Sequence, residues 1–254
     1  MPAVEASPAA LSIVVPTYNE RERLADLVHA VFRSYVTAGV DGELVIVDDN
    51  SPDGTGAIAD DLAQHYRIIV VHRSGKLGLG TAVVEGFERA SAPVVGVIDA
   101  DLSHPPEMLP RMLAVMTRYS ADLVIGSRYI PGGGTRNWPF SRRLMSRLAC
   151  FAARPLTRVV DATSGLFLIR RDLARTVRIS AGGFKICLEL LVRARPASVA
   201  EVPYVFSDRA AGTSKMNTRE ALGYFTQLRD LWRFQRTQPP LEQAYRRIAP
   251  GELT

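Results

Sequence analysis

The chain has 254 residues, 47% of them hydrophobic, and a formal net charge of +5. That is enough for one α/β domain with a substantial core and a short appendage, and the basic residues are not interleaved with aromatics as a nucleic-acid stacking platform requires. No apolar run approaches the ~18 residues needed to span a bilayer, and MPAVEASPAA lacks the basic start and apolar core of a secretory signal. Residues 1–10, small and Pro-containing, read as a loose tail. Leu11 to Val15 is a strand, followed by the polar loop Pro16-Thr17-Tyr18-Asn19-Glu20, with Asn19 expected to cap a helix to about Val36. Glu43 to Val47 is a second strand, ending in Asp48-Asp49-Asn50-Ser51-Pro52-Asp53-Gly54-Thr55 and a helix to about His65. Arg67 to His72 is a third strand, and Lys76-Leu77-Gly78-Leu79-Gly80-Thr81 is a glycine-punctuated loop before a helix over 82–90.

The next stretch, VVGVIDADLSHPPE at 94–107, organises the rest. Its apolar run reads as a buried parallel strand. Asp99 and Asp101, one residue apart at its end, fall on one side of an extended chain. Ligands of open α/β sheets gather at the carboxyl ends of strands. Two carboxylates there suit a hard divalent cation, Mg²⁺ or Mn²⁺, which would meet a diphosphate. A strand-end DxD also serves as a helix cap and solvated turn, so the motif alone leaves both readings open. A helix to about Tyr119 and a strand at Leu123–Ile125 continue a βαβαβαβ alternation, which predicts a mostly parallel sheet with helices on both faces. Four early strands thus end in polar, acidic or glycine-rich loops at one edge.

Beyond residue 125 the pattern changes. Pro131-Gly132-Gly133-Gly134 reads as a candidate mobile loop. Between Arg136 and Val160 every charged residue is Arg: Arg136, Arg142, Arg143, Arg147, Arg154 and Arg158. Leu144, Met145, Leu148, Phe151 and Ala152 give that stretch an apolar face, suited to packing within the domain or to an anionic membrane surface. Residues 161–168 return to the sheet, 179–194 hold a helix with Lys185 and Glu189, and Val199–Phe206 is a strand. Asn217 is expected to cap a last amphipathic helix to about Phe234, and 237–254 is expected to be an irregular tail after a single domain over 11–236. Cys150 and Cys187 lack metal spacing and read as core residues of a protein in a reducing compartment.

VVPTYNE, VDDNSPDGT, GLGTA, DADLSHPPE, GSRY and SDRAAGTSKM, in this order and spacing over roughly 11–232, resemble the polyprenol- or dolichol-phosphate mannose synthases of glycosyltransferase family 2. The resemblance implies a GT-A fold, Rossmann-like, with amphipathic helices toward the C-terminus. It implies metal-dependent, inverting transfer of mannose from GDP-mannose to a polyprenyl phosphate. Pro16, Tyr18, Glu20, Asp48, Asp49, Lys76, Gly78 and Asp99 would hold the nucleotide sugar, and Asp99 and Asp101 the metal. Ser103 stands where some relatives have Gln, so it would coordinate directly or through water. Arg128, Arg142, Arg209 and Lys215 would bind the acceptor phosphate, with Asp101, Arg128 and Arg209 catalytic. Glu189 is a candidate base if one is needed, or a buried, paired carboxylate. Relatives often carry C-terminal membrane spans or pair with a small membrane-anchoring subunit; with no spanning run here, that subunit is left open as a partner. The implied location is the cytoplasmic face of a membrane, as a peripheral protein. Another donor such as UDP-glucose, or a non-catalytic nucleotide-sugar-binding or membrane-adaptor subunit, are the competing readings.

Overall fold

The computed structural model describes residues 9–177, 179, 185–207 and 218–253. In chain order the elements are β1 (Leu11–Thr17), α1 (Leu24–Ala38), β2 (Gly42–Asp48), α2 (Thr55–Ala63), β3 (Ile68–His72), α3 (Leu79–Arg89), β4 (Val94–Val97) and α4 (Met108–Arg118). They continue with β5 (Leu123–Ser127), β6 (Gly134–Arg136), α5 (Phe140–Ala152), β7 (Phe167–Arg170), α6 (Arg171–Arg175) and α7 (Ile186–Arg193). The last are β8 (Ser198–Pro203), β9 (Val205–Ser207), α8 (Thr218–Arg236), β10 (Ala244–Arg247) and a 3-10 turn over Pro250–Glu252.

Eight strands form one sheet in the order β10-β8-β5-β7-β4-β1-β2-β3. All pair in parallel except β7, which runs antiparallel between β4 and β5. β6 and β9 make a separate parallel pair. Alternation along the strands divides the core in two. Leu11, Ile13 and Val15 of β1 and Leu44 and Ile46 of β2 face Leu27, Val31, Ala59 and Met112 of α1, α2 and α4. Val14, Val45 and Val47 face Val83 and Phe87 of α3, in a core that also takes in Leu188, Leu191 and Leu231 of α7 and α8. Burial on both sides explains the continuous apolar runs of the strands. β4 and β7 approach so closely that a Cβ on Gly96 would lie 2.6 Å from the Phe167 carbonyl oxygen. Because β4 and β5 both run parallel to β1, the chain leaves β1, β2, β4 and β5 at one edge.

Several expectations change. Asn19 does not cap α1: it has φ of 60°, and the helix starts only at Leu24, after a turn in which the amides of Arg23 and Leu24 donate to the Glu20 carbonyl. The strand expected over Val199–Phe206 splits at Tyr204 between the two sheets. The triglycine stretch is pinned: the Gly133 amide donates to Ile130 and Gly134 enters β6. Gly133 has no room for a side chain, since a Cβ would sit 2.5 Å from the Ser127 carbonyl oxygen. The tail expected to be irregular over 237–254 carries a strand among its described residues: β10 extends the main sheet by pairing with β8, and the Ile248 amide donates to the Glu201 carbonyl. Its charged Ala244-Tyr245-Arg246-Arg247 sequence hid a strand because an edge strand buries little of itself. Asn217 lies outside the described residues.

Candidate active site

β1, β2 and β3 deliver one half of the site. Asp48, the last residue of β2, is buried and spends its carboxylate on its own surroundings. It accepts from Thr17 Oγ1 at 3.0 Å, from the Ser51 amide at 2.9 Å and from the Ser51 hydroxyl. Asp48 therefore shapes the loop, and Ser51 Oγ passes the constraint on by accepting from the Asn19 amide. Asp49 faces the other way, toward Arg73 and the Gly78 amide, which donates to Oδ2 at 3.2 Å. Lys76 places its ammonium 3.9 Å from the centre of the Tyr18 ring, a cation–π contact joining the first and third strand ends. Pro16 lies in β1 opposite Val47, and the Glu20 amide donates to Thr55 Oγ1 at 3.0 Å. Gly78, with φ of 99°, turns the chain into α3 in a conformation that favours glycine.

Arg73 was missed from the sequence. It is buried, with its guanidinium shared between Asp49 at 2.5 Å, Glu85 at 3.2 Å and the Thr81 hydroxyl at 2.6 Å. Its signal was positional: it follows β3 as Asp49 follows β2, and its amide donates to the Asp48 carbonyl.

β4 delivers the DxD. Asp99 has a side chain 42% exposed, whereas Asp101 is only 9% exposed. The Ser103 amide donates to Asp101 Oδ1 at 2.9 Å, an arrangement that needs Leu102 in the left-handed region at φ of 62°. Ser103 Oγ is buried and without a hydrogen-bond partner. The Asp99 amide donates to Nδ1 of buried His104 at 3.4 Å. Burial lowers the His104 pKa, which suits a neutral ring accepting that bond. Among the described residues no group of three or more His, Cys, Asp or Glu is arranged to hold a metal ion. The site nevertheless fits a hard cation that takes further oxygens from a diphosphate and water: two carboxylates, one open to solvent, with an unsatisfied hydroxyl beside them.

β5 and the segments packed on it deliver the cationic half. Arg128 directly follows β5 and is buried. Its Nε and Nη2 each donate at 2.7 Å to the two oxygens of Asp161, while its own amide donates to Asp161 Oδ2 at 2.9 Å. This bidentate fork holds the arginine charged, its pKa raised by the Asp161 carboxylate against the cost of burial. Trp138 is in cation–π contact with both Arg128 and Arg142, whose guanidinium carbons are 5.4 and 4.4 Å from its ring centre. Phe206 packs on Trp138 and His104 with centroids 5.1 and 5.3 Å away, and so links the arginines to the DxD. Asp161, read from the sequence only as part of a return to the sheet, is the second residue missed. A buried arginine demands a carboxylate, but the sequence does not say which. Lys185, just before α7, has its pKa lowered first by burial and then by the Arg128 charge. Glu189 is buried beside Arg193 at 3.8 Å, the paired-carboxylate reading. Arg209 and Lys215 lie outside the described residues.

Ala152 packs against the core, but the large side chains of the apolar face of α5 do not. Phe140 and Phe151 are 76% and 72% exposed, with Leu144, Met145 and Leu148 also exposed. α8 adjoins it, with the Tyr224 hydroxyl donating to the Ala149 carbonyl at 2.7 Å, and exposes Leu222, Phe225 and Trp232. No helix among the described residues is long and apolar enough to cross a membrane.

Holding a nucleoside diphosphate beside a second anionic group requires acid for a metal and cations for phosphate at one edge of the sheet. This sheet provides both, and with its fold it places the chain in the class of GT-A glycosyltransferases. Glucosyl-3-phosphoglycerate synthase from Mycobacterium tuberculosis, solved with Mg²⁺ and uridine diphosphate, has the same fold. Its TM-score is 0.62 at 23% identity, covering 91% of this chain and 81% of that one. The sequence profile of glycosyl transferase family 2 matches residues 12–178. Dolichol-phosphate mannosyltransferase of Pyrococcus furiosus is 38% identical over 237 residues, 92% of this chain and 66% of that protein. Polyprenol monophosphomannose synthase of Mycolicibacterium smegmatis is 42% identical over 225 residues, 83% of each. The chain belongs to glycosyltransferase family 2. It spans slightly less than two thirds of the Pyrococcus relative's length.

Proposed function

We propose that the chain transfers mannose from GDP-mannose to a polyprenyl phosphate, giving polyprenyl phosphomannose and GDP with inversion at the sugar carbon. The names of the two relatives support mannose transfer to a polyprenyl phosphate, GDP as the carrier rests on the sequence resemblance, and one observation carries the acceptor assignment. Arg128 is held by its Nε and Nη2 edge on Asp161, and its Nη1 donates to no other described residue. That leaves a fixed cation of the type that recognises phosphate, with Arg142, against the same Trp138 ring, as a second.

The acceptor phosphate, with a second pKa of about 6, is largely dianionic near neutral pH and attacks without a strong base. Its oxygen forms the new bond to the anomeric carbon as the bond to the GDP oxygen breaks, and the electron pair departs on the diphosphate. Asp99 and Asp101, with Ser103 beside them, would hold Mg²⁺ or Mn²⁺, which when bound neutralises that departing charge. Tyr18, Lys76, Asp49 and Gly78 line the nucleoside side, with Asp48 and Arg73 keeping them in place. Arg209 and Lys215 complete the proposed acceptor site on the strength of the sequence motif.

The acceptor lies at a bilayer surface, and the adjoining exposed faces of α5 and α8 are the surface proposed to meet it. Contiguous exposed apolar side chains rimmed by arginine suit an anionic leaflet. A small membrane-anchoring subunit is a further proposed partner. Calorimetric titration tests the donor site. GDP is expected to bind in the presence of Mg²⁺ and to outcompete UDP, and Asp101→Ala to lose the metal-dependent part of that affinity. Equal binding of UDP, or an unchanged Asp101→Ala, would overturn the assignment.

A further inference from the structure

Arg128 is the end of a longer chain of contacts. Glu201, in the middle of β8, is fully buried, which is costly for a carboxylate unless every lone pair is engaged. Its partners are neutral donors. The Val160 amide donates to Oε2 at 2.8 Å and the Asp161 amide to Oε1 at 3.0 Å. The Tyr245 hydroxyl, from β10, donates to Oε2 in a short hydrogen bond. Arg247 Nε in turn donates to the Tyr245 oxygen at 2.9 Å, leaving the phenol proton for Glu201. Burial, followed by the Glu201 charge, raises the Tyr245 pKa and keeps it a neutral donor. Both amides that Glu201 captures belong to the turn carrying Asp161, whose carboxylate grips the Arg128 side chain and amide. An apolar residue of similar size would fill the Glu201 position without a buried charge, but it would leave those two amides unpaired and the turn unheld.

We propose that Glu201 and Tyr245 are positioning residues for glycosyl transfer: they fix the Val160–Asp161 backbone, and through the Asp161 carboxylate they set the orientation in which Arg128 meets the acceptor phosphate. This rests on the reading of Arg128 as an acceptor-phosphate ligand. The terminal strand β10 is on this account a working part of the acceptor site, although it lies two strands from β5 in the sheet.

The test is steady-state kinetics of the full chain with GDP-mannose and a detergent-dispersed polyprenyl phosphate, with thermal melting of each variant. Glu201→Gln and Tyr245→Phe are each expected to lower kcat/KM for the acceptor about tenfold, the scale of one weakened charge-assisted contact. The KM for GDP-mannose should stay within about twofold of wild type. Asp161→Asn is expected to cost more, and adding Glu201→Gln to it should cost nothing further, because both act through one arginine. If the losses multiply, or fall equally on donor and acceptor, Glu201 is only a structural residue and the proposal fails. If Asp161→Asn and Arg128→Lys leave acceptor kinetics unchanged, the reading of Arg128 fails and the proposal with it, a result distinct from the first. Should Glu201→Gln not fold, Tyr245→Phe, which keeps the ring, carries the same comparison.

Discussion

Arg73 and Arg128 solve the same problem on opposite sides of the DxD. Each is a buried arginine at a strand end, paired with an aspartate that is distant in sequence, Asp49 for Arg73 and Asp161 for Arg128. Burial makes the partner obligatory: removing one member of a buried pair strands the other's charge in a poorly solvated place. Arg73→Ala is therefore expected to lower unfolding stability by about 3–5 kcal/mol, seen as a lower urea midpoint, because Asp49 is left unpaired. Arg73→Lys should recover part of that loss, since a single ammonium cannot serve Asp49, Glu85 and Thr81 together. A wild-type midpoint for Arg73→Ala would show that the pair is solvated and that Asp49 is free to act by itself. At this scale the sequence was half legible. Asp99 and Asp101 announce themselves by their place after an apolar run, and Arg128 entered only through the resemblance of GSRY to a family motif. Arg73, Asp161 and Glu201 do not, because their roles come from partners 24, 33 and 40 or more residues away.

Among the elements, α5 and α8 carry the clearest consequence. Periodicity alone left the α5 apolar face between domain packing and a membrane surface. The structure exposes it, while Cys150 and Ala153 at its far end turn inward. Charge reversal at Arg143 and Arg147, both exposed, is expected to reduce co-sedimentation with anionic liposomes several-fold, with only a small fall in melting temperature from the lost Arg143 hydrogen bonds to the Trp138 carbonyl. Undiminished binding would remove α5 from the proposed docking surface. The C-terminal strand was illegible for a simpler reason. β10 is a short, charged edge strand whose pairing with β8 is a backbone matter, and side-chain patterning cannot report it.

For the whole molecule, the alternation of strands and helices up to residue 125 was readable, because a two-sided parallel core imposes continuous apolar runs and polar strand ends. The reversal of β7 was not: Phe167–Arg170 looks like any other buried strand, and only the long excursion through α5 turns it around. That reversal lets β4 and β5 remain parallel with one strand between them, so the acidic DxD and the clamped arginine share an edge without sitting on adjacent strands. The donor and acceptor halves of the proposed reaction are thus set side by side by topology, with Phe206 and Trp138 packed between them. The most direct test is transfer itself: purified chain, radiolabelled GDP-mannose, Mg²⁺ or Mn²⁺ and polyprenyl phosphate, with label counted in the organic phase. The account predicts labelled lipid that requires the metal and is lost in Arg128→Ala. A well-folded protein that binds neither GDP-mannose nor GDP, and labels no lipid, would contradict it.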